Sequence, residues 1–126
     1  MINLKKIIGG LVLLYVNTLW AMPAVCTRDG LTFDGLLGTY YDQNNNSRAY
    51  FTGNTLERFD RQVNFNWGGG RPAIGFGTDD FSVVWEGRID INQTGAYRFS
   101  TLSDDGVRLS VNGEIIIDNF TDHAPR

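Results

Sequence analysis

The chain has 126 residues, 15 of them glycine and three proline, with 13% aromatic residues and a formal charge of −3. That length fits one domain of ordinary size. Plentiful aromatics and glycine with little proline suit short strands and glycine-rich turns better than helices, and the weak negative charge leaves no basic patch for nucleic acid or an anionic membrane.

Residues 1–6 include Lys5 and Lys6, and residues 7–16 are apolar or glycine throughout. A basic start, a short apolar run and then Leu19-Trp20-Ala21 have the shape of a secretory signal peptide. The run is well below the ~20 residues needed to span a bilayer, so no transmembrane anchor is expected in this chain. The leader is expected as a helix over residues 1–21, with cleavage after Ala21 or as late as Ala24. Once it is removed, nine Arg face 14 Asp and Glu, a net charge of −5. The product is expected to be secreted or displayed at the cell surface. Cys26 is the single cysteine, and in an exported chain it implies either a partner elsewhere or a free thiol. His123, the single histidine, builds no His-based metal site on spacing and is expected as an exposed turn residue.

Residues 22–34 have mixed polarity and read as a connector. Residues 36–41 are β-prone, and 42–47 form a polar loop whose side chains compete for backbone hydrogen bonds. Residues 49–52 suggest a short strand. Residues 55–62 suggest one helical turn, with Leu56 and Phe59 three apart. Residues 63–67 alternate apolar and polar, and Gly68-Gly69-Gly70-Arg71-Pro72 then breaks the chain.

The clearest pattern begins at Phe81. Phe81, Val83, Trp85, Ile89 and Ile91 share one parity, and Ser82, Glu86, Arg88 and Asp90 the other, the signature of a half-buried strand. Gly87 in its middle reads as a bulge. Residues 97–101 alternate again, as do Val107, Leu109 and Val111 with Arg108 and Ser110. Asn112-Gly113 before residues 114–118 predicts a hairpin, because a type I′ turn needs φ > 0 at both central positions. The fold class that follows is an all-β antiparallel sandwich or barrel. The last strand, with Ile115-Ile116-Ile117, is expected at a sheet edge, and the domain at 35–126 is expected to be incomplete at its C-terminal end.

Four stretches now carry a resemblance: residues 81–87, Thr94-Gly95-Ala96-Tyr97-Arg98-Phe99, Ser103-Asp104-Asp105-Gly106-Val107-Arg108-Leu109, and Val111-Asn112-Gly113. In this order and spacing they resemble the core of the protective-antigen-type (PA-fourteen) domain. Gly35-Leu36-Leu37-Gly38-Thr39-Tyr40-Tyr41 resembles its opening. The resemblance implies a β-barrel or sandwich of exported proteins, among them adhesins, bacterial surface proteins, glycosidases and toxins. In the lectin members the aspartates matching Asp104 and Asp105 bind Ca²⁺ through a cis peptide, and the ion contacts sugar hydroxyls. The chain stops before the region where the family adds a further calcium-binding loop and its closing strands.

Neighbouring side chains of a regular strand point to opposite faces, so Asp104 and Asp105 address one ion only if a cis bond or a sharp turn intervenes. A hard cation would be held by such carboxylates as part of a set of about 6–8 oxygens. The alternative is a plain tight turn, in which Asp and Gly are favoured for local reasons. Two adjacent carboxylates do not flank a glycosidic bond from both sides, so no catalytic role is assigned and the chain is not expected to be an enzyme. Thr78-Asp79-Asp80 reads as a solvated loop. Trp85 lies on the apolar parity and is expected in the core. Trp67 beside three glycines is the candidate for stacking on a sugar ring. The leading expectation is a carbohydrate-binding or adhesion module with Ca²⁺ as cofactor and glycans as partners. The alternatives are a ligand-free structural module of a larger surface or pilus-associated protein, and an accessory domain of a secreted glycosidase.

Overall fold

The computed structural model describes residues 2–7, 11–17, 24–43, 49–91 and 93–126, with 2–7, 11–17 and Ala24 as backbone alone. Its organising strand is β8 (Phe81–Ile89). Along one edge β8 pairs with β1 (Ile2–Ile7), Leu4 opposite Trp85. Along the other it pairs with β5 (Leu36–Asp42), Tyr40 opposite Val83, and further on with β3 (Ala24–Arg28). β5 continues to β6 (Asn54–Asp60), and β3 to β4 (Leu31–Asp34). Beyond β1 lie β10 (Val107–Val111) and β11 (Glu114–Asn119). A smaller sheet has the order β7 (Asn64–Asn66), β2 (Leu11–Asn17), β9 (Arg98–Ser103). Every pairing is antiparallel, so the fold is all-β as the alternation predicts.

The core follows from the same alternation. Leu36, Tyr40, Phe81, Val83, Trp85, Val107 and Leu109 come from the large sheet, and Phe65, Trp67 and Phe99 pack against them. Each fully buried large apolar side chain contributes roughly 1.5–3 kcal/mol. No helix of the described residues is long and apolar enough to cross a membrane.

Several expectations change. The leader helix is not seen. Residues 2–7 and 11–17 have strand backbone, and Met1, residues 8–10 and 18–23 lie outside the described residues. A short apolar run fits a buried strand as well as a helix, so periodicity alone does not separate them. The connector at 22–34 holds the β3–β4 hairpin, turned by Asp29 (φ 52°) and Gly30 (φ 77°). The helical turn at 55–62 is instead β6: Leu56 pairs with Tyr40 and Phe59 with Leu37, and Phe59 stacks on Phe33 at 3.9 Å. Ladder pairing along all of β5 outweighs the three-residue spacing. Residues 49–52 form a turn, with Phe51 at φ 58°. Of the polar loop at 42–47, Asp42 closes β5 and residues 44–47 lie outside the described residues.

No register break occurs at Gly87. A Cβ there would meet Leu36 Cδ2 at 2.6 Å and Val25 O at 2.9 Å, so the glycine serves close packing of neighbouring strands. The irregularity lies between Leu109 and Ser110. Ile91 falls beyond the end of β8 and is exposed. Asn112 (φ 52°) and Gly113 (φ 84°) make the predicted turn, and β11 is an outermost strand.

Candidate functional site at the Asp104–Asp105 turn

Strand register gathers the loops that matter at one end of the large sheet. Lys6 of β1 is opposite both Val83 and Val107, so β8 and β10 begin at the same end. β5 finishes there, with Asp42 opposite Phe81, and so does β11, with Asn119 opposite Val107. Asp104 and Asp105 lie between β9 and β10 at this end, joined by a cis peptide bond, as the resemblance implies.

Both aspartates are half-buried, between fully buried Ser103 and buried Gly106. Asp105 Oδ1 accepts the backbone N–H of His123 at 2.9 Å. His123 is therefore half-buried and folded onto the turn rather than exposed. The side-chain amide of Asn119 donates to His123 Nε2 at 2.7 Å. The imidazole proton thus sits on Nδ1, which donates to Ala124 O at 2.8 Å. Arg126 Nη2 donates to Asn119 Oδ1 at 2.8 Å, and Arg126 and Ser103 exchange two backbone hydrogen bonds of 3.2 Å. Residues 119–126 therefore fasten to Asp105 and to Ser103 before it.

Ser103 Oγ is buried with no hydrogen-bond partner. A buried hydroxyl without a partner is unfavourable by about 1–3 kcal/mol, and Ser103 directly precedes the acidic pair in the chain. No group of three or more His, Cys, Asp or Glu able to hold a metal occurs among the described residues. The donors that the turn itself offers are oxygens, the carboxylates of Asp104 and Asp105 and the backbone carbonyls. That set fits a hard cation such as Ca²⁺ and does not fit a thiolate- or imidazole-seeking metal.

Trp67 is half-buried, stacked on Phe65 at 5.0 Å and edge-on to Phe81 and Tyr40 at 5.2 and 6.4 Å. None of these partners comes from the Asp104–Asp105 turn. Trp85 is fully buried. Asp79 is exposed, while Asp80 (φ 57°) accepts the N–H of Gln43 at 2.9 Å through its carbonyl. Cys26 is a half-buried free thiol on β3.

A second polar group lies inside the fold, built from β5, β6 and β8. Asp60, 7% exposed, accepts Tyr40 Oη at 2.5 Å and Trp85 Nε1 at 2.7 Å on Oδ2, and Arg58 Nε at 2.6 Å on Oδ1. Arg58 also donates to Tyr40 Oη at 2.5 Å and to Pro72 O at 3.2 Å, and its guanidinium lies 4.3 Å above the Tyr40 ring. Burial, and then the hydrogen bond to Asp60, push the Tyr40 phenol far above its ordinary value. Every group is satisfied, and the cluster fixes β5 against β8. The sequence pattern missed Asp60 because residues 55–62 resembled a helical turn.

The PA14 domain family model matches residues 33–125. The anti-sigma-I factor RsgI3 of Acetivibrio thermocellus is 40% identical over 89 residues, covering 71% of this chain and 13% of that protein. The chain therefore spans a small part of the length of this curated relative. No solved structure matches it.

Proposed function

The chain belongs to the PA14 domain family, and on that premise we propose that it is an exported carbohydrate-binding module whose cation site is the Asp104–Asp105 turn. The observation that carries this reading is the half-buried acidic pair fastened through Asp105 Oδ1 to His123 N–H, in the turn that follows Ser103 with its buried, partnerless hydroxyl. Asp104 and Asp105 would hold Ca²⁺, with Ser103 Oγ and turn carbonyls as further oxygen donors. When bound, the ion supplies a positive centre with coordination positions left for vicinal sugar hydroxyls. His123 and Asn119 position Asp105 through the backbone hydrogen bond and the amide–imidazole contact. An extracellular or cell-surface setting is supported by the family match; residues 2–7 and 11–17 are strands inside the two sheets, so they are not read as a leader that is removed.

Calorimetric titration of the chain with CaCl₂, followed by a glycan array with and without chelator, tests the proposal. Heat of binding and chelator-sensitive glycan hits support it. A folded sample with neither overturns it.

A second reading is a ligand-free structural module of a larger surface protein; the curated relative carries the similar stretch as a small part of its own length. Under it, D104N and D105N leave assembly and adhesion unchanged.

A further inference from the structure

Four aromatic side chains that take no part in the core gather at the end of the large sheet that carries the acidic turn. Asn119 is opposite Val107, so Phe120 follows β11 where Asp105 and Gly106 lead into β10. Tyr41 is opposite Ser82 at the same end of β5. The turn at residues 49–52 joins the two. Phe51 meets Tyr41 edge-on at 5.8 Å and stacks on Phe120 at 6.1 Å. Tyr50 stands nearly perpendicular to Phe120 at 5.8 Å. Arg108, held by Asp118, lies 5.0 Å from the Phe120 ring. All four rings are half-buried, so part of each remains at the surface.

Holding the turn there is costly. Phe51 has φ 58°, a conformation that bulky residues rarely adopt. Such a residue is unfavourable by about 1–3 kcal/mol, and residues of this kind cluster at ligand clamps. The surroundings impose it: Phe51 N–H donates to Oγ of fully buried Ser82 at 2.8 Å, and Thr52 Oγ1 donates to Ala49 O at 2.5 Å. β1 and β10 stand between β8 and β11 in the sheet. The turn, bonded to β8 through Ser82, therefore bridges their ends to reach Phe120.

We propose that Tyr50, backed by Phe51 and Phe120, is the platform on which a pyranose bound at the Asp104–Asp105 turn rests its apolar face. The inference builds on the reading of that turn as a cation-dependent carbohydrate site. A pyranose carries hydroxyls around its edge and C–H groups on its face. The edge suits a hard cation, and the face suits an aromatic ring. Both surfaces stand at one end of the sheet, and the contacts from Asn119 to His123 and from His123 to Asp105 connect them. A cation alone takes any vicinal diol. The aromatic ring adds a preference for closed sugar rings over open-chain polyols. Trp67, stacked on Phe65, is not a member of this group.

The test is an NMR titration of the complete chain in CaCl₂, with methyl α-mannopyranoside, methyl β-galactopyranoside and open-chain mannitol as probes. At least one pyranoside is expected to shift the backbone signals of both Asp105 and Tyr50, and to bind about tenfold more tightly than mannitol. Tyr50→Ala is expected to lose that preference with its calorimetric heat of calcium binding unchanged, and the conservative Tyr50→Phe to restore it. A preference that survives in Tyr50→Ala overturns the platform and leaves the cation reading standing. Shifts at Asp105 with none at Tyr50 do the same, and this wild-type pattern decides by itself if tryptophan fluorescence shows Tyr50→Ala unfolded. Binding of neither pyranoside also overturns the platform, and the heat of calcium binding then shows whether the cation reading falls with it.

Discussion

The indole Nε1 of Trp85 donates a hydrogen bond to Oδ2 of Asp60, 2.7 Å away, inside the core. The same oxygen accepts Tyr40 Oη, and the other carboxylate oxygen holds Arg58. One carboxylate thus ties β5, β6 and β8 together. Removing it strands three donors, one of them charged. Asp60→Ala is expected to lower stability by about 3–5 kcal/mol, the range for breaking a buried ion pair from one side. Asp60→Asn, which keeps an acceptor, is expected to lose less. Urea denaturation followed by tryptophan fluorescence gives both values, and a loss under 1 kcal/mol in the alanine variant would contradict the assignment.

The glycines of the opening motif serve this carboxylate. A Cβ on Gly38 would stand 2.7 Å from Asp60 Oδ2 and 2.9 Å from Trp85 Nε1. Gly35 has φ +111° and faces the backbone of Asp60 and Arg61. Gly38→Ala is expected to cost about 1–3 kcal/mol through overpacking. Gly95→Ala, where nothing lies within 4 Å, should stay within about ±0.5 kcal/mol. Thermal melts of the two variants side by side decide the matter; equal midpoints would refute the packing account.

Tyr40 gives the fold an alkaline limit. Its folded-state pKa is raised, so the folded form keeps the phenol proton after the unfolded chain has lost it. The stability it confers is complete below the ordinary tyrosine value. It then falls by about 1.4 kcal/mol per pH unit from near pH 10 upward, until the raised value is reached. Tyr40→Phe lacks this titration. The expected result is a stability difference between wild type and variant that shrinks with rising pH above 10, measured by urea unfolding at several pH values. A pH-independent difference would count against it.

At the candidate cation site, a bound ion stabilises only the folded form. Calcium at a hundred times its dissociation constant is expected to add about 2.7 kcal/mol. Asp104→Asn and Asp105→Asn should each abolish that gain, while Asp105→Asn keeps the Oδ1 acceptor for His123 N–H. Asp79→Asn, in the exposed loop, should keep it in full. Differential scanning calorimetry with CaCl₂ and with chelator separates the three. A gain that survives Asp104→Asn places the ion elsewhere.

The strands and the hairpin were legible because their signals are local. Phe81, Val83 and Trp85 alternate with their neighbours, and Asn112-Gly113 has the turn chemistry that lets two strands fold back directly. The acidic pair was legible through its flanking motif. Its surroundings were not. His123 lies 18 residues from Asp105, and nothing in the sequence near either residue announces the contact. Likewise Asp60 lies 20 residues from Tyr40 and 25 from Trp85, and by itself it reads as a surface charge. The contacts of Trp67, the candidate for stacking on a sugar ring, were not legible either: it is half-buried with its ring on Phe65.

By itself, then, the sequence determined the β architecture, the turn at Asn112-Gly113 and the place of Asp104 and Asp105 between two strands. These depend on alternation and turn conformation, which are properties of a few consecutive residues. Only the tertiary structure decided that Asp60 is a buried hub, that residues 119–126 fasten onto Asp105 and Ser103, and that the turn at 49–52 lays Tyr50 and Phe51 against Phe120. Those features depend on which strands become neighbours, and that choice is made by the burial of a whole core rather than by any one segment.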